Sequence, residues 1–235
     1  MIKLINVSKE YDNGVKALSN INLEINKGEF VFLVGSSGAG KSTLSKLILK
    51  EEEVTEGKIY LNDLDVTKVP NRRIPFIRRN VGMVFQDFRL LPNRTVYENV
   101  AFAMEIVGSN PKDIRRRVPM ILSIVNLSSK ASCFPDQLSG GEQQRASIAR
   151  SIINNPPVLI ADEPTGNLDP ETARDIMRAL MDINGRGTTI IMATHAREIV
   201  NDMKKRVIAL ENGKIIRDEQ KGGYELEVPS TKEYN

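Results

Sequence analysis

Eight consecutive residues constrain this chain more than any others. Gly35-Ser36-Ser37-Gly38-Ala39-Gly40-Lys41-Ser42 has the spacing G-x-x-x-x-G-K-S and follows directly on the apolar run Phe30-Val31-Phe32-Leu33-Val34. An unbroken apolar run of this length reads as a strand covered on both faces. Thr43 to Ile48 then continues as a helix, so the motif has the strand–loop–helix setting it requires. In that setting the glycines let successive backbone N–H groups, from Gly35 to Thr43, curl round a polyphosphate, and the helix start adds positive potential. Lys41 is expected to supply a point charge for the β- and γ-phosphates, and Ser42 can ligate Mg²⁺. The bland alternative, a loop that merely joins strand to helix, is disfavoured by the intact order of elements.

The remainder reads as a sheet built around that loop. Ile21, Leu23 and Ile25 alternate with polar residues, as do Ile59 and Leu61, which predicts strands with one wet face. Val96, Val100, Met104 and Val107 recur at helical spacing, as do Ile114, Val118, Leu122 and Val125. Asn110-Pro111 is a good start for that second helix, and Pro119 is expected to kink or divide it. Val158 to Ala161 and Thr188 to Thr194 read as buried strands, with a helix marked by Ala173, Ile176, Met177 and Leu180 between them. Asn212-Gly213 between Val207–Leu210 and Ile215-Ile216 predicts a type I′ hairpin. The expected layout is a mostly parallel α/β core, one domain over residues 1–222, with a helical insertion near 88–155 and a loose tail from Gly223. Arg115-Arg116-Arg117 and Lys204-Lys205-Arg206 read as solvated helix faces.

Composition narrows the class. A chain of 235 residues that is 40% hydrophobic and 27% charged is neither collagen-like nor wholly disordered, and its single cysteine permits no internal disulfide. A net charge of +3 is too weak to argue for nucleic acid. No apolar run approaches the ~20 residues of a membrane span, and the start carries no secretory signal. These features predict a soluble, intracellular protein.

Three further elements carry chemistry. Asp162-Glu163 closes the buried run Val158–Ala161, at the strand end where open α/β sheets bind ligands. Neighbours on a strand point opposite ways, so Asp162 is expected to hold the magnesium shell and Glu163 to polarise an attacking water. His195, the one histidine, follows Thr188–Thr194 at the same sheet edge, which favours a γ-phosphate contact over a structural role. Leu138-Ser139-Gly140-Gly141-Glu142 opens a helix with capping-box spacing. Its two glycines would bare backbone N–H groups and make a second anion site. One nucleotide does not need two cradles from one subunit, unless a second copy brings its cradle across an interface.

Gly35–Ser42, Gln86, Leu138–Gln144, Val158–Glu163, Asn167-Leu168-Asp169 and His195 resemble, in order and spacing, the nucleotide-binding subunit of ABC transporters. The resemblance spans residues 1 to about 220. It implies a P-loop (RecA-like) parallel core with an antiparallel β subdomain and a helical insertion. It also implies ATP hydrolysis with Mg²⁺ in a head-to-tail homodimer, each site joining one copy's phosphate loop to Ser139, Gly140 and Gly141 of the other. By the same carry-over Tyr11 stacks on adenine, Gln86 contacts magnesium and water, and Asp169 couples the two sites. Each has a plainer reading: Tyr11 as a strand aromatic, Asp169 as a helix N-cap before Pro170. Within the family, Phe85–Val100, Ala103-Met104-Glu105 and Ile160–Asp169 are most similar to cell-division members, with Ser36 and Pro119 as minor departures. That implies a polytopic membrane partner, no nucleic acid, a peripheral place on the cytoplasmic face of the membrane, and ATP-driven activation of cell-wall hydrolases. The alternative is an export ATPase for lipoprotein, peptide or drug. A soluble phosphate-loop kinase would need an acceptor-pocket motif that the chain lacks.

Overall fold

The computed structural model describes residues 1–224. The chain opens with antiparallel strands β1 (Ile2–Glu10) and β2 (Lys16–Ile25), then β3 (Phe30–Val34) leads through the phosphate loop into helix α1 (Lys41–Ile48). Strands β4 (Glu56–Leu61) and β5 (Leu64–Asp65) complete an antiparallel sheet of order β2-β1-β4-β5. Helix α2 (Ile74–Arg78) and strand β6 (Val81–Val84) precede three helices, α3 (Val96–Ile106), α4 (Pro111–Ile124) and α5 (Gly140–Ile152). Strand β7 (Val158–Asp162), helix α6 (Pro170–Gly185), strand β8 (Thr189–Ala193), helix α7 (Arg197–Met203) and the hairpin β9 (Arg206–Glu211) and β10 (Lys214–Glu219) follow. The second sheet has the order β10-β9-β3-β8-β7-β6, parallel throughout except for β10. The expected architecture of parallel core, antiparallel subdomain and helical insertion is therefore present.

The uninterrupted apolar character of β3 follows from its place inside the sheet. Phe30, Phe32 and Val34 enter a core shared with α3, α4, α5 and α6, whereas Val31 and Leu33 enter a second core with α1 and the antiparallel strands. The hairpin turn has Asn212 and Gly213 at φ 46° and 73°, as a type I′ turn requires.

Some elements depart from the expectations. Strand β1 carries no clean alternation, because its register shifts between Leu4 and Val7 around Asn6 at φ 49°. The bulge moves the next inward residue from an even to an odd position, which hides the strand from a period-2 pattern. Helix α4 runs unbroken through Pro119. A proline removes one helical donor, and here the buried side chains of Val118 and Leu122 hold the adjoining turns to the core. Arg206 is no part of a solvated face. It is buried at the start of β9, bonded through two nitrogens to Asp218 at 2.7 Å and to Glu29 at 2.7 Å. Most of the tail expected from Gly223 lies outside the described residues. Gly223 and Tyr224 themselves are held: both carbonyls accept from Arg217 at 2.8 Å, and Tyr224 N donates to Asn201 Oδ1 at 2.7 Å. Among the described residues no helix is long and apolar enough to cross a membrane.

Candidate active site

The phosphate loop leaves β3 at Val34 and re-enters regular structure at Lys41. Gly40 has φ 107°, and a Cβ there would stand 2.7 Å from Ala17 O and from Leu18 Cδ2, so no side chain fits. Lys41 Nζ donates to Gly35 O at 2.7 Å and Ser36 O at 3.0 Å, which folds its ammonium over the loop. The loop forms the floor of a cleft of about 640 Å³ whose lining takes in all of Gly35 to Thr43 together with Tyr11, Gln86, Asp162, Glu163 and His195. Tyr11 OH lies 3.3 Å from Thr43 Oγ1, and the Lys9 ammonium sits 4.8 Å from its ring centroid. Val15, Lys16, Ala17 and Tyr224 also line the cleft. None carries a motif, and only the return of distant segments to the loop brings them there.

The two acids diverge for a reason other than strand alternation. Asp162 is the last residue of β7, while Glu163 already lies beyond it in a left-handed turn at φ 47°. That strained geometry is held by Glu163 N donating to Ala193 O at 2.9 Å. Burial, and then the neighbouring Glu163 charge, push the Asp162 carboxyl above its ordinary value, against the pull of Lys41 and of a hydrogen bond from Ser42. The Glu163 carboxylate is largely buried, with Oε1 2.8 Å from His195 Nδ1 and Oε2 accepting from His195 N at 3.3 Å. Beside it the buried Gln144 of α5 donates from Nε2 to Pro164 O at 2.8 Å. Gln144 ties α5 to the turn that carries Glu163, a positioning contact that the sequence pattern does not reveal.

Ser139, Gly140, Gly141 and Asp169 do not line this cleft. Ser139 caps α5 in a complete capping box: its Oγ accepts from Glu142 N at 3.3 Å, and its N–H donates to Glu142 Oε2 at 2.9 Å. The backbone bond from Ser139 holds the Glu142 carboxyl below its ordinary value. A Cβ at Gly141 would meet Thr172 Cγ2 at 2.3 Å, so this glycine is required by the close approach of α5 to α6 as well. Asp169 caps α6 by accepting from Glu171 N and Thr172 N at 3.1 and 3.0 Å, and its bonds to Thr172 lower its pKa.

The segment after Gln86 is fixed to the helices behind it. Phe88 and Arg89 both take left-handed φ values, and Arg150 of α5 donates to both of their carbonyls. Asn99 of α3 is fully buried. Its Oδ1 accepts from Leu91 N at 2.7 Å, and its Nδ2 donates to the carbonyls of Leu91, Arg94 and Thr95 at 2.9–3.1 Å. Asn99→Ala should lower unfolding free energy by about 2 kcal/mol, since it leaves buried backbone groups without partners. Urea melts of the two proteins measure the difference.

A family model described as ABC transporter matches residues 18–166. The chain belongs to this family, and its activity is that of an ABC-type ATPase, the conversion of ATP and water to ADP and phosphate. It is 59% identical over 224 residues to the cell division ATP-binding protein FtsE of Bacillus subtilis, covering 95% of this chain and 98% of that one. The FtsE proteins of Mycobacterium tuberculosis and Escherichia coli K12 are 53% and 48% identical, over 97% and 91% of this chain and 99% and 96% of theirs. A dimeric ATP-binding cassette in a post-hydrolysis state, bound to ADP and phosphate, superposes with a TM-score of 0.86 at 38% identity, covering 95% of this chain and all of that one.

Proposed function

We propose that this chain is the ATP-hydrolysing subunit of a cell-division ABC complex, with a polytopic membrane partner resembling FtsX. ATP binding and hydrolysis in it drive activation of cell-wall hydrolases. The observation that carries this reading is near-full-length similarity to FtsE proteins of three organisms, at 48–59% identity. The chain then sits peripherally on the cytoplasmic face of the membrane, as one ATPase domain over residues 1–222 with its helical part near 88–155. Affinity capture from native membranes tests it. Recovery of an FtsX-like protein supports the reading, whereas recovery of an export permease for lipoprotein, peptide or drug replaces it.

Within the site, the loop N–H groups and Lys41 hold the ATP phosphates, and Tyr11 stacks on adenine. Ser42, Gln86 and Asp162 hold Mg²⁺. One carboxylate beside a hydroxyl and an amide suits a hard cation that takes its remaining ligands from phosphate and water, and the half-buried Asp162 carboxyl gains from a positive neighbour. When bound, the ion neutralises charge on the β- and γ-phosphates. Glu163 orients and polarises the attacking water. His195 fixes that carboxylate through Nδ1 and leaves Nε2 for the γ-phosphate. Ser139, Gly140 and Gly141 complete the site from a second, head-to-tail copy, and Asp169 links the two sites while capping α6. This division accounts for their absence from the cleft of a single chain.

Tyr11→Ala should weaken ATP binding roughly 5- to 150-fold, the worth of one aromatic stack on a base. Calorimetry on the folded variant measures it, and unchanged affinity removes Tyr11 from the site.

A further inference from the structure

Between β5 and β6 the chain carries a surface that ATP turnover does not use. Residues 70–80 read Pro-Asn-Arg-Arg-Ile-Pro-Phe-Ile-Arg-Arg-Asn, with four arginines and no acid. Arg72, Arg73, Arg78 and Arg79 are all exposed, in two pairs flanking Phe76, which is itself 58% exposed. Elsewhere on the molecule Arg89, Arg94, Arg116 and Arg178 each have a carboxylate within 3.3 Å. Among the described residues no carboxylate pairs with any of the four arginines around Phe76. The segment is also firmly mounted. Ile77 is buried in the core, Arg78 donates to Leu49 O and Lys50 O at 3.2 Å, and Asn80 Nδ2 donates to Phe76 O at 2.7 Å. The Arg79 guanidinium lies 4.9 Å from the centre of the Phe76 ring.

A solvated arginine face needs no exposed aromatic at its centre, and in water the ring gains only the modest contact with Arg79 from the cations around it. Both gain at one kind of boundary. Guanidinium groups bind phosphate through paired N–H donors, and an aromatic ring between them enters the zone where headgroups meet acyl chains. We infer that Arg72, Arg73, Phe76 and Arg79 form a docking surface for a bilayer of anionic lipid. Each such cation strengthens attachment to an anionic leaflet about fivefold. The competing occupant is an acidic protein segment, for which the neighbouring groove of about 210 Å³ lined by Arg78, Arg79 and Arg150 is suited. Arg72, Arg73 and Phe76 lie outside that groove, and an acidic segment seated in it leaves the exposed ring without a role.

The inference goes beyond the proposed complex and needs no membrane protein, so it is tested on the full chain alone. Co-sedimentation with phosphatidylcholine vesicles, with and without phosphatidylglycerol, should show binding only to the anionic vesicles, weakening as salt rises. Arg72→Glu with Arg73→Glu should lower the partition coefficient by at least about tenfold. Phe76→Ser should lower it while keeping the salt dependence. All these side chains are exposed, so thermal melting and ATP affinity should match the parent and exclude misfolding. Equal partition of the parent chain onto both vesicle types overturns the inference, as does a doubly reversed variant that binds like the parent. If vesicles are ignored but the reversed variant loses its protein partner in capture from native membranes, the surface serves an acidic protein segment and the lipid assignment falls.

Discussion

Glu163→Gln keeps ATP bound but turns it over roughly 10²–10⁴-fold more slowly than the parent chain, the range for loss of a positioned general base. The amide retains the size of the carboxylate, and its oxygen can still accept the 2.8 Å bond from His195 Nδ1. Its NH₂ cannot accept from water, and it cannot accept from His195 N as Oε2 does at 3.3 Å. Lys41, Ser42 and Asp162 are untouched, so nucleotide affinity should survive. Phosphate release under saturating ATP, beside calorimetric binding, separates the two effects. If turnover persists within a few-fold, another group activates the water and Glu163 only shapes the turn after β7.

If Ser139, Gly140 and Gly141 complete the site of a second copy as proposed, the same variant should accumulate an ATP-dependent dimer that ADP does not support, because uncleaved γ-phosphate would stay between one copy's Lys41 and the other's α5 N-terminus. Adding Ser139→Arg should abolish that dimer. Ser139 is exposed at the mouth of the α5 cap, and arginine there fills the cradle while each phosphate loop still binds its own nucleotide. Loss of the cap costs about 1 kcal/mol, too little to unfold the chain, and circular dichroism checks that. Light scattering at matched protein concentration reads the outcome. A double variant that dimerises with ATP as well as Glu163→Gln alone removes the shared site and leaves a monomeric phosphate-loop ATPase.

What was legible in the sequence was whatever local chemistry dictates. The covered strand Phe30–Val34, the loop it feeds, the Asn110 and Ser139 caps and the Asn212-Gly213 turn each follow from a few adjacent residues. Gly35–Thr43, Asp162, Glu163 and His195 could be placed at one sheet edge because parallel strands all end there. What stayed hidden depends on distant partners. Strand β1 is masked by its bulge, and Arg206 reads as a surface cation until Glu29 and Asp218 close on it from two other segments. Gln144 and Asn99 are ordinary polar residues in helical sequence, and their roles arise from the carbonyls that the fold brings to them. The φ of Glu163 likewise belongs to its contact with Ala193, thirty residues on.

The alternation along β3 has a thermal consequence. Phe30, Phe32 and Val34 are stitched into one core and Val31 and Leu33 into the other, and the phosphate loop hangs from the end of this shared strand. Loss of β3 would strip side chains from both cores at once. Occupying the loop should therefore raise the melting point of the helical and antiparallel regions as one transition rather than two, which calorimetric scans with and without ATP would show. The gain is about 2.7 kcal/mol when free ATP exceeds its dissociation constant a hundredfold. A nucleotide that touches one end of a five-residue strand would thus add to the heat tolerance of both layers around it.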